Sequence, residues 1–355
     1  MMEGTNEMSI TDIADNISTA LKEHIVFQHE SEADALTAWI ILTYFMEQMD
    51  IFPFVLITSP EPQCGKSTAL RMLAAFVKNP RSASRITPAA IYRVIQRDQP
   101  TLLLDEADRF VRNNPELIGI LNAGHARFDA YVIINKKQSD GNWEPADFSV
   151  WCAKAIAGIG EQDDTITSRS LVIRLRRKLV SETVTRYSYD YPLKQQGIRE
   201  AIEAWAKNIQ LSNFEAPKLS GNTDRGTDNW IAIGQIAQAL GNDWPDRIRQ
   251  SFTAIEMNSP KTSDDIKVEF LYDIQEVLID YPAHEIQSSE LLNLLLNKED
   301  SDWFIHNHGR PITQRWVAKT LSVYGVRPLK RSKHNVYVIS ELISVFERYI
   351  TPMKS

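Results

Sequence analysis

Phe54-Val-Leu-Ile-Thr-Ser59-Pro60-Glu-Pro62-Gln63-Cys64-Gly65-Lys66-Ser67-Thr68 runs from an apolar, β-rich stretch through a short loop into Gly-Lys-Ser at a helix start. Strand, loop and helix in that order form the setting in which a phosphate-binding loop works. Backbone N–H groups of such a loop point at phosphate oxygens, and the helix dipole favours their negative charge. Pro62, Gln63, Cys64, Gly65, Lys66, Ser67 and Thr68 would line the cradle. Lys66 has the reach for β- and γ-phosphates, and the Ser67 hydroxyl stands where such a loop holds Mg²⁺. The pattern departs from the usual one at Pro60, which takes the place of its first glycine.

Further along, Thr101-Leu-Leu-Leu-Asp105-Glu106 ends a second apolar strand in two acids. Asp105 fits the carboxylate that holds the magnesium ion through water, and Glu106 the base that orients an attacking water. Phosphoryl transfer to a metabolite does not need that second acid, so the pair favours hydrolysis. Asp105-Glu106-Ala107-Asp108 also spells the DEAD box of one RNA helicase class, but the companion Ser-Ala-Thr and His-Arg-x-Gly-Arg motifs are missing. Short apolar runs at 155–159 and 171–175 continue the alternation with helices. The alternation indicates an α/β domain with a largely parallel sheet over residues 50–178.

Residues 9–48 read as helices, with Ile13, Ile17, Leu21 and Ile25 at helical spacing behind Ser9 and Thr11 as caps. Beyond residue 178 the strand signal fades, 198–209 and 227–240 read as helices, and 259–263 as a linker. The last segment has helical stretches near 264–279, 288–297 and 313–324, then an alternating run at 335–339. A helical unit closing on a hairpin is winged-helix-like. The expected divisions are 1–49, 50–178, 179–260 and 261–355.

The composition, 43% hydrophobic and 24% charged over 355 residues, excludes a disordered, collagen-like or disulfide-scaffold chain. Two cysteines, Cys64 and Cys152, fit a reducing compartment. No run reaches the ~18 apolar residues of a membrane span, and the N-terminus lacks a signal-peptide pattern, so a cytoplasmic protein without membrane partners is expected. The net charge of −7 hides an asymmetry: residues 301–355 carry nine Lys/Arg against three Asp/Glu, a surplus of six that leaves −13 on the other 300 residues. A basic tail on an acidic body is either a nucleic-acid contact or a solvated face.

Four further stretches complete a pattern with the Ser59–Ser67 loop: Leu121-Asn-Ala-Gly124-His125, Lys154-Ala-Ile-Ala-Gly-Ile159, Asp164-Thr-Ile-Thr-Ser-Arg169-Ser and Asp224-Arg225-Gly-Thr-Asp228-Asn229-Trp230. With them the chain, from about residue 20 to 350, resembles the AAA+-like P-loop ATPases of phages, plasmids and integrated elements, a family of replication helicases often fused to or encoded beside primases. The resemblance implies a P-loop NTPase core at 50–178 with an N-terminal helical segment, an α-helical lid at 179–260 and a C-terminal winged-helix domain. It implies ATP and Mg²⁺ as cofactors and assembly into a ring, a hexamer, with Arg169 reaching the neighbouring subunit's γ-phosphate and Arg225 sensing γ-phosphate from a lid helix. Arg174 and Arg176 alternate with apolar residues and read as surface side chains. The implied activity is an ATP-driven motor on single-stranded or forked DNA, with any primase on a separate polypeptide. The alternative is an ATP-switched DNA-binding loader or remodelling ATPase that does not translocate. A regulatory scaffold with vestigial hydrolysis gains from Pro60 and loses from Glu106. The polar residue that should follow the fourth core strand has no clear match before Glu161 and Gln162.

DNA contacts have two candidate locations. Between residues 130 and 148 two β-rich runs flank Asp140-Gly141, a hairpin signal. Lys136 and Lys137 would meet phosphates there while Trp143 stacks on a base, though an ordinary surface hairpin has the same pattern. In the last domain, Arg315 and Lys319 lie on the 313–324 helix, followed by Arg327, Lys330, Arg331, Lys333 and His334 on a loop or wing. Cys64 reads as a buried, inert thiol, and His306 and His308 lack companions at metal-ligand spacing. Removing residues 300–355 is expected to weaken binding to labelled single-stranded DNA, measured by fluorescence anisotropy at fixed salt; unchanged affinity would clear this segment of the role.

Overall fold

The computed structural model of the chain describes residues 8–112, 114–137, 142–160, 162–215, 224–257, 263–279, 281–298, 302–306, 309–332 and 334–350, with the side chains of 224, 225, 257 and 263–265 excepted. It divides into two compact units, Met1–Pro260 and Lys261–Ser355. The stretch expected as a linker at 259–263 lies almost wholly outside the described residues.

The first unit opens with α1 (Ile10–His24) and α2 (Glu32–Leu42). Ser9 and Asp12 close a reciprocal capping box on α1, which satisfies two of the orphan N–H groups of a helix start. The α/β core follows: β1 (Phe54–Ser59), α3 (Lys66–Phe76), β2 (Pro80–Ala83), α4 (Pro88–Asp98), β3 (Thr101–Leu104), α5 (Ala107–Phe110) and α6 (Pro115–Ala123). It continues with β4 (Tyr131–Lys137), β5 (Trp143–Ser149), β6 (Lys154–Ile159), α7 (Asp164–Thr167) and β7 (Ser170–Arg174). Four helices end the unit: α8 (Tyr191–Lys194), α9 (Gln196–Ala206), α10 (Asp224–Leu240) and α11 (Trp244–Met257).

Five strands form one sheet in the order β2-β3-β6-β1-β7, and every pairing in it is parallel. Alternation along the strands feeds two cores. Val55, Ile57, Leu103, Ala155, Ala157, Leu171 and Ile173 face α1, α2, α3 and the α9–α11 layer. Phe54, Leu56, Leu102, Leu104, Ile156 and Val172 face α4, α6 and the β4–β5 pair. Burial on both sides explains why these strands read as unbroken apolar runs. Helices from before and after the sheet share the first core, so α1 and α2 pack with α10 and α11 in one layer. The sequence reading missed α4, α11, the edge strand β2 and the helix at 339–349.

Carboxylates inside that layer have opposite fates. Asp34 accepts hydrogen bonds from Arg247 at 2.7 Å and Ser18 at 2.5 Å. Burial alone would raise its pKa, but these bonds outweigh burial and hold the carboxyl below its ordinary range. Glu32 is also buried, and burial pushes it from 4.5 up to about 7 against the weaker pull of the Gln28 N–H and the Arg174 and Arg176 charges. Arg174, expected at the surface, is a correction: it is half-buried at the end of β7, with Nη2 enclosed and unpaired among the described residues. Arg176 is exposed and pairs with Glu182 at 3.1 Å.

The second unit is α12 (Ser263–Val277), β8 (Glu285–Gln287), α13 (Ser288–Leu296), α14 (Gln314–Val323), β9 (Leu329–Arg331), β10 (His334–Val338) and α15 (Ile339–Tyr349). Its antiparallel sheet has the order β8-β10-β9. Phe270, Trp303 and Trp316 interlock in its core, and the buried Trp303 indole donates to Asp273 at 2.6 Å.

The protonated form of Glu32 is the one the fold favours. Its contribution is complete below pH 4.5 and lost as the pH rises through about 7, a difference worth roughly 3 kcal/mol. Glu32→Gln keeps an acceptor for the Gln28 N–H and removes the charge. It is expected to melt several degrees above wild type at pH 8, with the gap closing towards pH 5, in thermal melts across that range.

Candidate nucleotide site

β1 ends at Ser59 inside the sheet, held to the end of β6 by Thr58 Oγ1 donating to Gly160 O at 2.7 Å and Gly160 N donating to Ser59 O at 3.0 Å. The chain then loops and enters α3 through Gly65, whose φ of +89° lies in the left-handed region. A Cβ at Gly65 would meet nothing within 4 Å, so the backbone angle, not lack of space, calls for glycine. Gln63 also has a positive φ, 63°. Lys66 Nζ folds over the loop, 2.5 Å from Ser59 Oγ and 3.3 Å from Glu61 O. Cys64 is buried.

β3 lies beyond β6 from β1 and delivers its acids to the same edge. Ser67 Oγ donates to Asp105 Oδ2 at 2.7 Å. Two hard oxygen donors thus sit side by side beside the loop, a donor set that suits Mg²⁺. Glu106 takes a left-handed φ of 55°, a strain worth roughly 1–2 kcal/mol that is typical of functional positions. Its carboxylate accepts from Arg109 Nη1 at 3.0 Å in an exposed pair. Asp108, the last letter of the DEAD box reading, accepts from Ile159 N at 3.0 Å and so splices α5 to β6. That role is structural.

Gln162 follows β6 and folds back so that Nε2 donates to Ile159 O at 3.1 Å and Gly160 O at 3.3 Å. A Cβ on Gly158 would come within 2.8 Å of that amide. Glu161 lies outside the described residues. Sequence reasoning left this position open and had no signal for Arg109 or Ser59. Their parts rest on side chains converging from separate elements.

Arg169 stands at the other end of the sheet. Its carbonyl accepts from Phe54 N at 2.8 Å, and Ser170 is in register with Phe54 at the start of β1. The loop follows Ser59 at the other end of that strand, about 17 Å away at the usual strand rise. Arg169 Nη1 donates to Thr165 O at 2.7 Å. The helix bearing Arg225 begins near the same turn, since Asn229 Nδ2 donates to Ser168 O at 3.3 Å. Arg225 therefore groups along the chain with Arg169 and not with Lys66; its side chain lies outside the described residues.

β4 and β5 form a separate two-stranded antiparallel sheet between α6 and the fourth core strand. Val132, Ile134 and Phe148 pack on the core, and Gln96 Oε1 accepts from Ser149 N at 2.7 Å. Directly opposed residues share a face of such a pair. Lys137 opposes Trp143 and Lys136 opposes Glu144, so the two lysines point to opposite faces. The Lys137 face carries exposed Tyr131, Ile133 and Trp143. Asp140 and Gly141 lie outside the described residues.

In the second unit Arg315 and Lys319 are exposed one turn apart on α14, and Lys330 is exposed on β9. Arg331 is engaged, donating to Glu285 at 2.7 Å, which lowers the Glu285 pKa. Lys333 and His308 lie outside the described residues. Among the described residues no three His, Cys, Asp or Glu side chains are grouped to hold a metal ion, and no helix is long and apolar enough to cross a membrane.

Residues 174–349 match a family described as Protein of unknown function (DUF3631), a span that begins within β7 and omits the Lys66 loop. No curated protein matches the chain. Among solved structures, it is similar to the apo A form of the NrS-1 C-terminal region at 15% identity and a TM-score of 0.38, over 92% of this chain and 75% of that one. It is also similar to a structure described as SCCmec type IV Cch, an active helicase, at 13% identity and a TM-score of 0.41, over 95% of this chain and 71% of that one.

On the hairpin, Lys137→Ala is expected to cut single-stranded-DNA-stimulated ATP turnover more than Lys136→Ala, because only Lys137 shares a face with Trp143. Basal turnover should hold in both variants. Equal losses in steady-state assays would contradict a DNA contact on the Trp143 face.

Proposed function

We propose that this protein is an ATP-hydrolysing, ring-forming motor on single-stranded or forked DNA. The observation that carries the reading is the division of labour along β1. Lys66, Ser67, Asp105 and Glu106 gather at one end of the sheet, while Arg169 stands at the other, beyond reach of its own chain's loop. A nucleotide site completed by an arginine from an adjoining copy needs that division, and a ring supplies it to every subunit.

In this reading the backbone N–H groups of residues 62–68 cradle the phosphates, and Lys66 leaves Ser59 to meet the β- and γ-phosphates. Ser67 and Asp105 would hold magnesium, which would draw charge off the phosphate oxygens. Glu106 releases Arg109 and orients the attacking water, accepting its proton. Gln162, at the tip of β6, is placed to report on the γ-phosphate. Arg169 of the adjacent copy offsets charge developing on that phosphate, an effect typically worth ~10³–10⁵ in rate. In this reading the second unit serves as a winged helix, which the order of its elements and its β8-β10-β9 sheet support. Arg315, Lys319 and Lys330 give it a basic surface for phosphates, while Arg331 is already held by Glu285. A separate primase is a compatible partner.

Steady-state hydrolysis with and without single-stranded DNA tests the reading. DNA is expected to stimulate turnover, and Lys66→Ala and Glu106→Gln to abolish it. Lys66→Ala and Arg169→Ala, each inactive alone, are expected to regain turnover when mixed, since some interfaces then combine an intact loop with an intact arginine. Turnover indifferent to DNA, or no recovery on mixing, would refute the motor or the shared site respectively. Strand displacement on a forked substrate separates the motor from a loader.

A further inference from the structure

Three of the stretches that single this sequence out, Leu121–His125, Lys154–Ile159 and the α10 opening at Asp224–Trp230, contribute residues that lie away from the Lys66 loop. They meet in one buried polar chain at the Arg169 end of the sheet. Lys154 is fully buried and gives its three protons to Gly124 O at 3.1 Å, Val150 O at 3.1 Å and Cys152 O at 2.9 Å. Among the described residues no carboxylate lies against it; burial lowers its pKa, and three carbonyls, the Cys152 thiol and the Phe54 ring, 5.2 Å away, are its partners. Gly124 makes room: a Cβ there would fall 2.2 Å from Lys154 Nζ and 2.2 Å from Val150 O.

The chain continues on both sides. Val150 follows β5 directly, and its N–H donates to Ala130 O at 2.8 Å, closing the base of the hairpin. On the other side His125 packs edge-on to Phe54 and bonds Asn229 Oδ1 through Nε2 at 2.8 Å. Asn229 is itself 2% exposed and hands on to Ser168 O at 3.3 Å, the carbonyl just before Arg169. A continuous path of hydrogen bonds and covalent bonds therefore runs from the hairpin base through Lys154, Gly124, His125 and Asn229 to the arginine turn.

We infer that Asn229 and His125 are positioning residues that couple the β4–β5 hairpin to Arg169, so that DNA held on the hairpin sets how Arg169 is offered to the adjacent copy. This rests on the motor reading above. The physical reason is the cost of breaking such a path: each buried polar group left without its partner costs roughly 1–3 kcal/mol. The hairpin base and the arginine turn therefore move together instead of separately. Neither residue touches nucleotide or DNA in this scheme.

Two variants cut the path at different links. Asn229→Asp keeps an acceptor for His125 and removes the donor to Ser168. His125→Phe keeps the ring against Phe54 and removes the bond to Asn229. In both, the ratio of DNA-stimulated to basal kcat is expected to fall to about one, with KM for ATP and Kd for single-stranded DNA within about twofold of wild type. Full stimulation in both single variants would overturn the coupling while leaving the motor reading intact. Absence of DNA stimulation in the wild type, or wild-type turnover in Arg169→Ala, would overturn the motor reading and the coupling with it.

Discussion

β1 is enclosed by β6 and β7 at its edges and by apolar layers on both faces, and it works as a spacer that the rest of the molecule cannot easily bend. Phe54, Val55, Leu56 and Ile57 are almost wholly buried, and burial of side chains of this size is worth roughly 1.5–3 kcal/mol each. The exposed Glu106–Arg109 pair, by contrast, belongs to a class worth about 0–1 kcal/mol. The frame that sets the distance between the loop and Arg169 is therefore stiff, while the acid at the loop is free to exchange partners. A site that closes around nucleotide needs both properties.

Two acids near the start of α2 show how position decides chemistry. Asp34 meets Arg247 and Ser18 and stays ionised, whereas Glu32 meets the backbone N–H groups of Gln28 and His29 and weaker arginine charges, so burial drives it towards the neutral form. Lys154 is a third solution, an amine that donates to three backbone carbonyls and meets the Cys152 thiol, its pKa lowered by burial. Burying that ammonium without partners would cost several kcal/mol, which ties three separated stretches of chain to one geometry. Their residues matter for where they hold the backbone.

Much of the core was legible from residues alone. The β1 run, the Gly65-Lys66-Ser67 helix start and the Asp105-Glu106 strand end follow from local rules of apolar runs, helix starts and strand ends, and the structure brings Ser67 and Asp105 together. The polar residue after the fourth core strand was left unassigned between Glu161 and Gln162, because nothing in their neighbours states that the Gln162 amide turns back on β6. Arg174 was misjudged for a related reason. Alternation places it off the apolar face, but the fold half-buries it within range of the Glu32 and Glu256 charges from elsewhere in the chain.

The sequence by itself determined the alternation of the main core strands with helices, the strand-loop-helix pattern around Gly65-Lys66-Ser67 and the basic excess of the last segment. These depend on backbone preference, apolar periodicity and charge, which act between neighbours in the chain. Tertiary structure alone decided that Arg169 stands a full strand length from Lys66, that Lys136 and Lys137 face opposite ways, that Arg331 is held by Glu285, and that α1 and α2 share a layer with α10 and α11. Those outcomes depend on pairing register and on packing between residues far apart in the chain, which no local pattern records.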